Sequence, residues 1–211
     1  MKLRNTLISI PASGVWLDGM LAHAPDVRGL AVLPAGDTYQ SPRIDGSRLS
    51  ATLQEAGFAT MTLNLLTRQE SARDPDAGFN VSRLAARLLA AIEWVGHQPP
   101  LANLAIGLVA SGTACGAVVR AATSLPERIA GLVCIGGRAD LAGAAPLRAL
   151  TRPTRFIVSR ADPEAAIAER AFALIPKAVG DWREVPPDDP RQTASAAAEW
   201  LTSCMPVANS A

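Results

Sequence analysis

Few residues in this 211-residue chain could do covalent chemistry, and the most suggestive share one stretch, Leu104 to Arg120 (LAIGLVASGTACGAVVR). An apolar run, Leu104 to Val109, gives way to the small residues Ala110-Ser111-Gly112-Thr113-Ala114 and then to a helix-like pattern of Ala, Val and Gly. The pattern predicts a strand, a tight turn and a buried helix. Such a turn can lift one side chain above the end of a sheet, where a nucleophile would be placed. Ser111 and Cys115 are the side chains nearest that role, although Cys115 falls inside the helix, where it reads as a small buried residue packing on the sheet. Acyl chemistry also needs a base and an acid. The chain has two histidines, His23 and His97, and acids that follow later apolar runs, Asp140 after Gly137-Arg138 and Asp162 after Arg160-Ala161.

The elements that would position these groups follow from hydrophobic patterning. Thr6 to Ile10 and Val15 to Leu21, separated by Pro11-Ala12-Ser13-Gly14, predict two antiparallel strands. Gly29 to Leu33 and Ala59 to Leu65 are continuous apolar runs of the kind covered on both faces of a sheet. Pro34 to Ile44 reads as a loop and a helix starts near Ser47, with Leu49, Leu53 and Ala56 on one face and Gly57 as its stop. Thr67 to Phe79 lacks periodicity and reads as a solvated loop, with a flap over the active edge as the alternative. Val81, Leu84, Leu88, Ile92 and Val95 mark an amphipathic helix with Arg83 and Arg87 on its wet side. The helix after the turn presents Gly116, Ala117 and Ala121, small enough for its backbone to lie close to the sheet. Gly131 to Ile135, Arg155 to Val158 and Trp182 to Val185 predict three further strands, with helices over Glu164 to Ile175 and Arg191 to Leu201. Strands and helices alternating at these lengths argue for one α/β domain over residues 1–211, a mostly parallel twisted sheet with helices on both faces.

Composition narrows the classes of function. A formal net charge of +1, with charged residues at 18% and no basic run, gives no footprint for nucleic acid or an anionic membrane. No apolar run approaches the roughly 18 residues of a membrane span, so a cytoplasmic location is expected. Three widely spaced cysteines, Cys115, Cys134 and Cys204, support neither a disulfide framework nor a metal site. The expectation is therefore no metal and no cofactor, with a small-molecule ligand or a protein as partner; composition leaves the oligomeric state open.

In a parallel sheet, chemistry sits beyond the carboxyl ends of the strands. That edge gathers Pro34 to Asp37, Ala110 to Thr113, Arg138, Asp140 and Asp162. The antiparallel start, the strand-turn-helix and the later acid together resemble the α/β-hydrolase fold in a minimal form without a cap domain. Ser41-Pro42-Arg43, Leu65-Leu66-Thr67, Gly137-Arg138-Ala139-Asp140-Leu141-Ala142-Gly143 and Ala161-Asp162 carry a narrower resemblance to dienelactone-hydrolase-like esterases.

That resemblance implies a Ser or Cys nucleophile, an Asp and a His assembled from three loops, with backbone N–H groups holding the oxyanion. The family's small-x-Ser-x-small pattern puts Ala110 and Ala114 at the small positions and Gly112, without a side chain, at the nucleophile. A shift of one residue makes Ser111 the nucleophile but places Val109 and Thr113 where the bend needs small residues. Ala35 and Thr113 fall at the oxyanion positions, with Pro34, which has no N–H, beside them. Asp162 occupies the acid position, and with Pro163 following it also reads as a helix N-cap. Arg138, Asp140 and Arg43 read as an ion-pair set across the edge or an anion pocket. No histidine follows the last strand; both belong at the opposite rim. The function expected is that of a hydrolase-fold protein without its Ser-His-Asp machinery, acting as a binding or interaction module. The alternative is a hydrolase of small esters, lactones or thioesters using Ser111 with an unusual or partner-supplied base.

Overall fold

In the computed structural model, which describes residues 2–36 and 46–205, the chain opens as a hairpin. Strands β1 (Arg4–Ala12) and β2 (Val15–His23) pair antiparallel, from Arg4 opposite His23 to Ala12 opposite Val15. Ser13 and Gly14 form the two-residue turn at φ +50 and +79, the doubly positive geometry whose twist suits a hairpin. Pro11 and Ala12, expected in the turn, instead belong to β1. β1 is a sheet edge, where a strand tolerates proline.

The remaining strands are β3 (Leu30–Ala35), β4 (Ala59–Asn64), β5 (Ile106–Ser111), β6 (Ile129–Ile135), β7 (Thr154–Ser159) and β8 (Gly180–Val185). Among the described residues they form one sheet in the order β1-β2-β4-β3-β5-β6-β7-β8. β2 meets β4 antiparallel, and every pairing from β4 across to β8 is parallel. The sheet is therefore mostly parallel, with all carboxyl ends of β3 to β8 on one edge.

Helices α1 (Gly46–Glu55) and α7 (Pro190–Cys204) cover one face, while α3 (Val81–Gly96) and α4 (Ala114–Ser124) cover the other. Alternation along a strand sends Leu108 and Ala110 toward α3 and α4, and Val109 toward α1 and α7. Both layers are apolar, which is why the central strands read as unbroken hydrophobic runs. Short helices α2 (Arg68–Arg73), α5 (Ala144–Arg148) and α6 (Ala165–Phe172) complete the chain.

Three expectations need correction. Thr67 to Phe79 is not a plain solvated loop: it contains α2 and a 3-10 turn, Ala77–Phe79. Thr67 and Glu70 form a reciprocal capping box that starts α2. Arg87 is not on a wet face either. It is 2% exposed, donating from Nη1 to the Leu65 carbonyl and Glu70 Oε2, and from Nη2 to Glu70 Oε1. The arginine beside Glu70 does most to hold its carboxyl down, at about 2, with help from Thr67 and against the opposing effect of burial. Finally, a Cβ on Gly116 would lie 3.0 Å from Val81 Cγ1 and 3.1 Å from the Ala142 nitrogen. Its small size thus lets α3 and the turn at Ala139–Ala142 approach α4, rather than bringing α4 closer to the sheet.

Candidate functional site

The elbow is built by the end of β5 and the start of α4. β5 ends at Ser111, Gly112 turns the chain at φ +55, and α4 begins at Ala114. This left-handed conformation is strained for a residue with a side chain and easy for glycine. The apex of the turn is therefore Gly112, while Ser111 still belongs to the strand. The loop after β6 packs directly on it: the Gly112 carbonyl accepts from the Arg138 N–H at 2.9 Å, and any Cβ on Gly137 would collide with the Gly112 backbone.

Asp162 follows β7 and is 8% exposed. Its Oδ1 accepts from the Glu164 N–H at 2.9 Å, closing the turn ahead of α6, whose own N-cap residue is Glu164. Asp162 therefore braces the entry to α6 rather than capping its first turn. Its Oδ2 lies beside Gly136, where a Cβ would stand 2.7 Å away. Arg138 and Asp140 form a two-bond ion pair, 2.8 Å at both contacts, and hold each other rather than reaching the elbow. Arg43, Asp37 and the Ser41-Pro42-Arg43 string lie outside the described residues.

On the oxyanion side, β3 continues through Pro34 and Ala35, opposite Leu63 and Asn64 of β4. Pairing of β3 with β5 stops earlier, at Val32 opposite Leu108. Pro34, with no N–H to offer, thus stands where the ladder to β5 has already ended. Thr113 precedes α4 without capping it through its side chain, and its buried Oγ1 has no hydrogen-bond partner. The hydroxyl faces Gly36, where an added Cβ would lie 2.6 Å from Oγ1 and 3.1 Å from the Ala114 nitrogen.

Neither histidine approaches the elbow. His23 ends β2 one pair beyond Ala22 and Thr60, at the amino edge of the parallel strands. His97 caps the carboxyl end of α3, its Nδ1 2.9 Å from the Glu93 carbonyl. After β8 the chain instead carries Asp188, at φ +53, and Asp189, whose Oδ1 accepts from Gln192 N–H to cap α7. Cys115 is fully buried with its Sγ 3.5 Å from the Gly136 carbonyl, and the neighbouring Cys134 thiol together with burial pushes its own thiol well above the ordinary range, the reverse of an activated nucleophile.

Two cavities flank Gly112, and both include Gly112 and Ile135 in their walls. The smaller, about 120 Å³, reaches toward Asp162, Glu164, Asp188 and Asp189. The larger, about 350 Å³, lies between the ends of β3, β4 and β5 and helix α1, with Ala35 and Ser111 in its wall. Thr113, Arg138 and Asp140 line neither. Reasoning from sequence missed Ser47 and Ser50, one turn apart on α1, and Thr62 and Asn64 on β4, all lining the larger cavity. The spacing of the two serines opposite a strand end is the one signal that could have pointed to them.

The strand order, the single antiparallel β2 and the sharp turn after β5 define an α/β-hydrolase fold. Within that class the likeness is to dienelactone hydrolase: the enzyme of that name from Anabaena variabilis superposes with a TM-score of 0.86 at 28% identity, covering 96% of this chain and 99% of that one. The esterase domain of a Rhodothermus marinus protein matches with a TM-score of 0.73 at 14% identity over 95% of this chain and 99% of that one. In sequence, 175 residues, 82% of this chain, are 33% identical to a Mycobacterium tuberculosis protein provisionally named a phosphoribosyl transferase. This chain spans 39% of that relative's length. No protein-family model matches the chain.

Proposed function

We propose that the protein is a non-catalytic member of the dienelactone-hydrolase-like group that binds a small molecule, or presents a bound one to a partner, at the carboxyl edge of its sheet. The observation that carries this reading is the elbow itself. Gly112 occupies the apex at φ +55, and the two histidines of the sequence both lie at the far edge. Acyl transfer by a triad loses orders of magnitude in rate when one member is removed. Here the nucleophile and the base are both without a side chain in place, while Asp162 retains a structural task in the turn before α6.

The phosphoribosyl transferase name belongs to a relative more than twice as long as the matched segment. The matched segment makes up most of a chain that forms an α/β-hydrolase fold. We therefore read the shared 175 residues as the hydrolase-fold portion of that relative, and assign no phosphoribosyl transfer to it. No helix among the described residues is long and apolar enough to cross a membrane. Three free thiols, Cys115, Cys134 and Cys204, support a reducing, cytoplasmic location.

Hydrolysis of phenyl acetate and of a short lactone tests the reading. Turnover should not exceed the buffer rate, and Ser111→Ala should change nothing. Turnover well above buffer that disappears in Ser111→Ala would establish the alternative, a hydrolase working through Ser111.

A further inference from the structure

We infer that the larger cavity takes an uncharged amphipathic molecule with an alcohol or amide edge and turns away carboxylates; this rests on the non-catalytic reading above. At about 350 Å³ the cavity is in the range of small-molecule sites. Its floor is apolar, formed by Leu33, Leu49, Leu63, Val109 and Ile135. Among the described residues that line it, every polar group is neutral.

The hydroxyls give the ligand its polar edge. Ser111 extends from the last position of β5 on the same side as Val109, and Ser50 and Thr62 face it from α1 and β4. None of these three hydroxyls has a hydrogen-bond partner among the described residues, whereas Ser47 on the same helix makes an interaction of its own. A hydroxyl kept from water without a partner costs about 1–3 kcal/mol, so an occupant that supplies one donor and one acceptor is favoured over a purely apolar one. A carboxylate would lose its hydration without meeting a cationic side chain among the described residues of the lining, a penalty its apolar contacts cannot offset. The cavity on the other side of Gly112 reinforces the exclusion, because its charged walls are the carboxylates Asp162, Glu164, Asp188 and Asp189. Gly112, with no side chain, leaves the two spaces unobstructed where they share a wall.

The test uses three probes of one shape, benzyl alcohol, benzamide and benzoate, titrated into the full chain at neutral pH and followed by ligand-observed NMR. Benzyl alcohol and benzamide should bind, with benzoate at least about tenfold weaker, the ratio that corresponds to 1.4 kcal/mol. Ser111→Ala should weaken benzamide about fivefold, the loss expected of one neutral hydrogen bond. Ser50→Trp, which fills the cavity from α1, should abolish binding while an unchanged circular dichroism spectrum reports an intact fold. Benzoate binding as well as benzamide, no binding of either neutral probe, or binding untouched by both variants would each overturn the inference and leave the non-catalytic reading standing. Hydrolysis of phenyl acetate that depends on Ser111 would overturn that reading itself.

Discussion

At the α2–α3 junction the protein answers its own buried charge, whereas the cavity beside the elbow presents hydroxyls that the protein leaves open. Arg87 is 2% exposed, yet its two terminal nitrogens make three hydrogen bonds, to Leu65 and to both oxygens of Glu70. Glu70 is in turn held by the Thr67 N–H and hydroxyl. Across the sheet, Ser50, Thr62 and Ser111 line a cavity, and their hydroxyls have no hydrogen-bond partner among the described residues. A buried polar group matched inside the chain stabilises the fold, and one left open at a cavity is available to a ligand. The first region should therefore respond to mutation in stability and the second in binding.

Removing the partner of Arg87 should have the largest effect. Glu70→Ala leaves a buried guanidinium without its counter-ion and should cost about 3–5 kcal/mol in chemical denaturation, with probe binding at the cavity unchanged in the folded fraction. If the variant is as stable as the parent, α2 contributes nothing to the fold and the contrast fails. Acid should reveal the same contact in the unaltered chain. Glu70 has its carboxyl lowered from 4.5 to about 2, so the unfolded chain binds its proton more readily. The stability due to Glu70 is thus full above pH 4.5 and is lost as pH falls toward 2, roughly 3 kcal/mol in all. Glu70→Gln should flatten that part of the curve.

The elbow should show a smaller and different response. Gly112→Ala forces a side chain into φ +55 and should cost about 1–2 kcal/mol. Gly112→Ser should cost as much and create no esterase, since no histidine lies at that edge; an active Gly112→Ser variant would mean a base had been overlooked. Thr67→Ala, which removes one half of the capping box, should cost about 1 kcal/mol. Ser111→Ala should stay within about 0.5 kcal/mol of the parent while weakening benzamide, the reverse of Glu70→Ala.

The two regions were unequally legible in the sequence. The elbow announced itself because a strand, a run of small residues and a helix are local patterns, and because a chain with two histidines leaves few candidates for a base. The mostly parallel sheet was legible in the alternation of strands and helices, but its strand order was not, since hydrophobic runs specify strands and not their neighbours. The α2–α3 junction was misread for a physical reason. Six residues with none buried carry no periodicity, and an arginine opposite an apolar stripe looks solvated until another element covers it. Thr67-Arg68-Gln69-Glu70 did hold the capping signature that marks a helix start, and that signal was available. The walls of the larger cavity were beyond reach because they come from separate elements, α1, β3, β4 and β5, brought together only by the fold. Pro34, read as the start of a loop, instead lies in β3 opposite Leu63, past the point where the ladder to β5 ends at Val32.

Whether this elbow holds a working nucleophile is decided by intact-protein mass spectrometry after incubation with a serine-directed fluorophosphonate, alongside an ordinary esterase. With Gly112 at the apex, this chain should keep an unmodified mass under conditions that fully label the esterase. A stoichiometric adduct that maps to Ser111 and is absent from Ser111→Ala would contradict it.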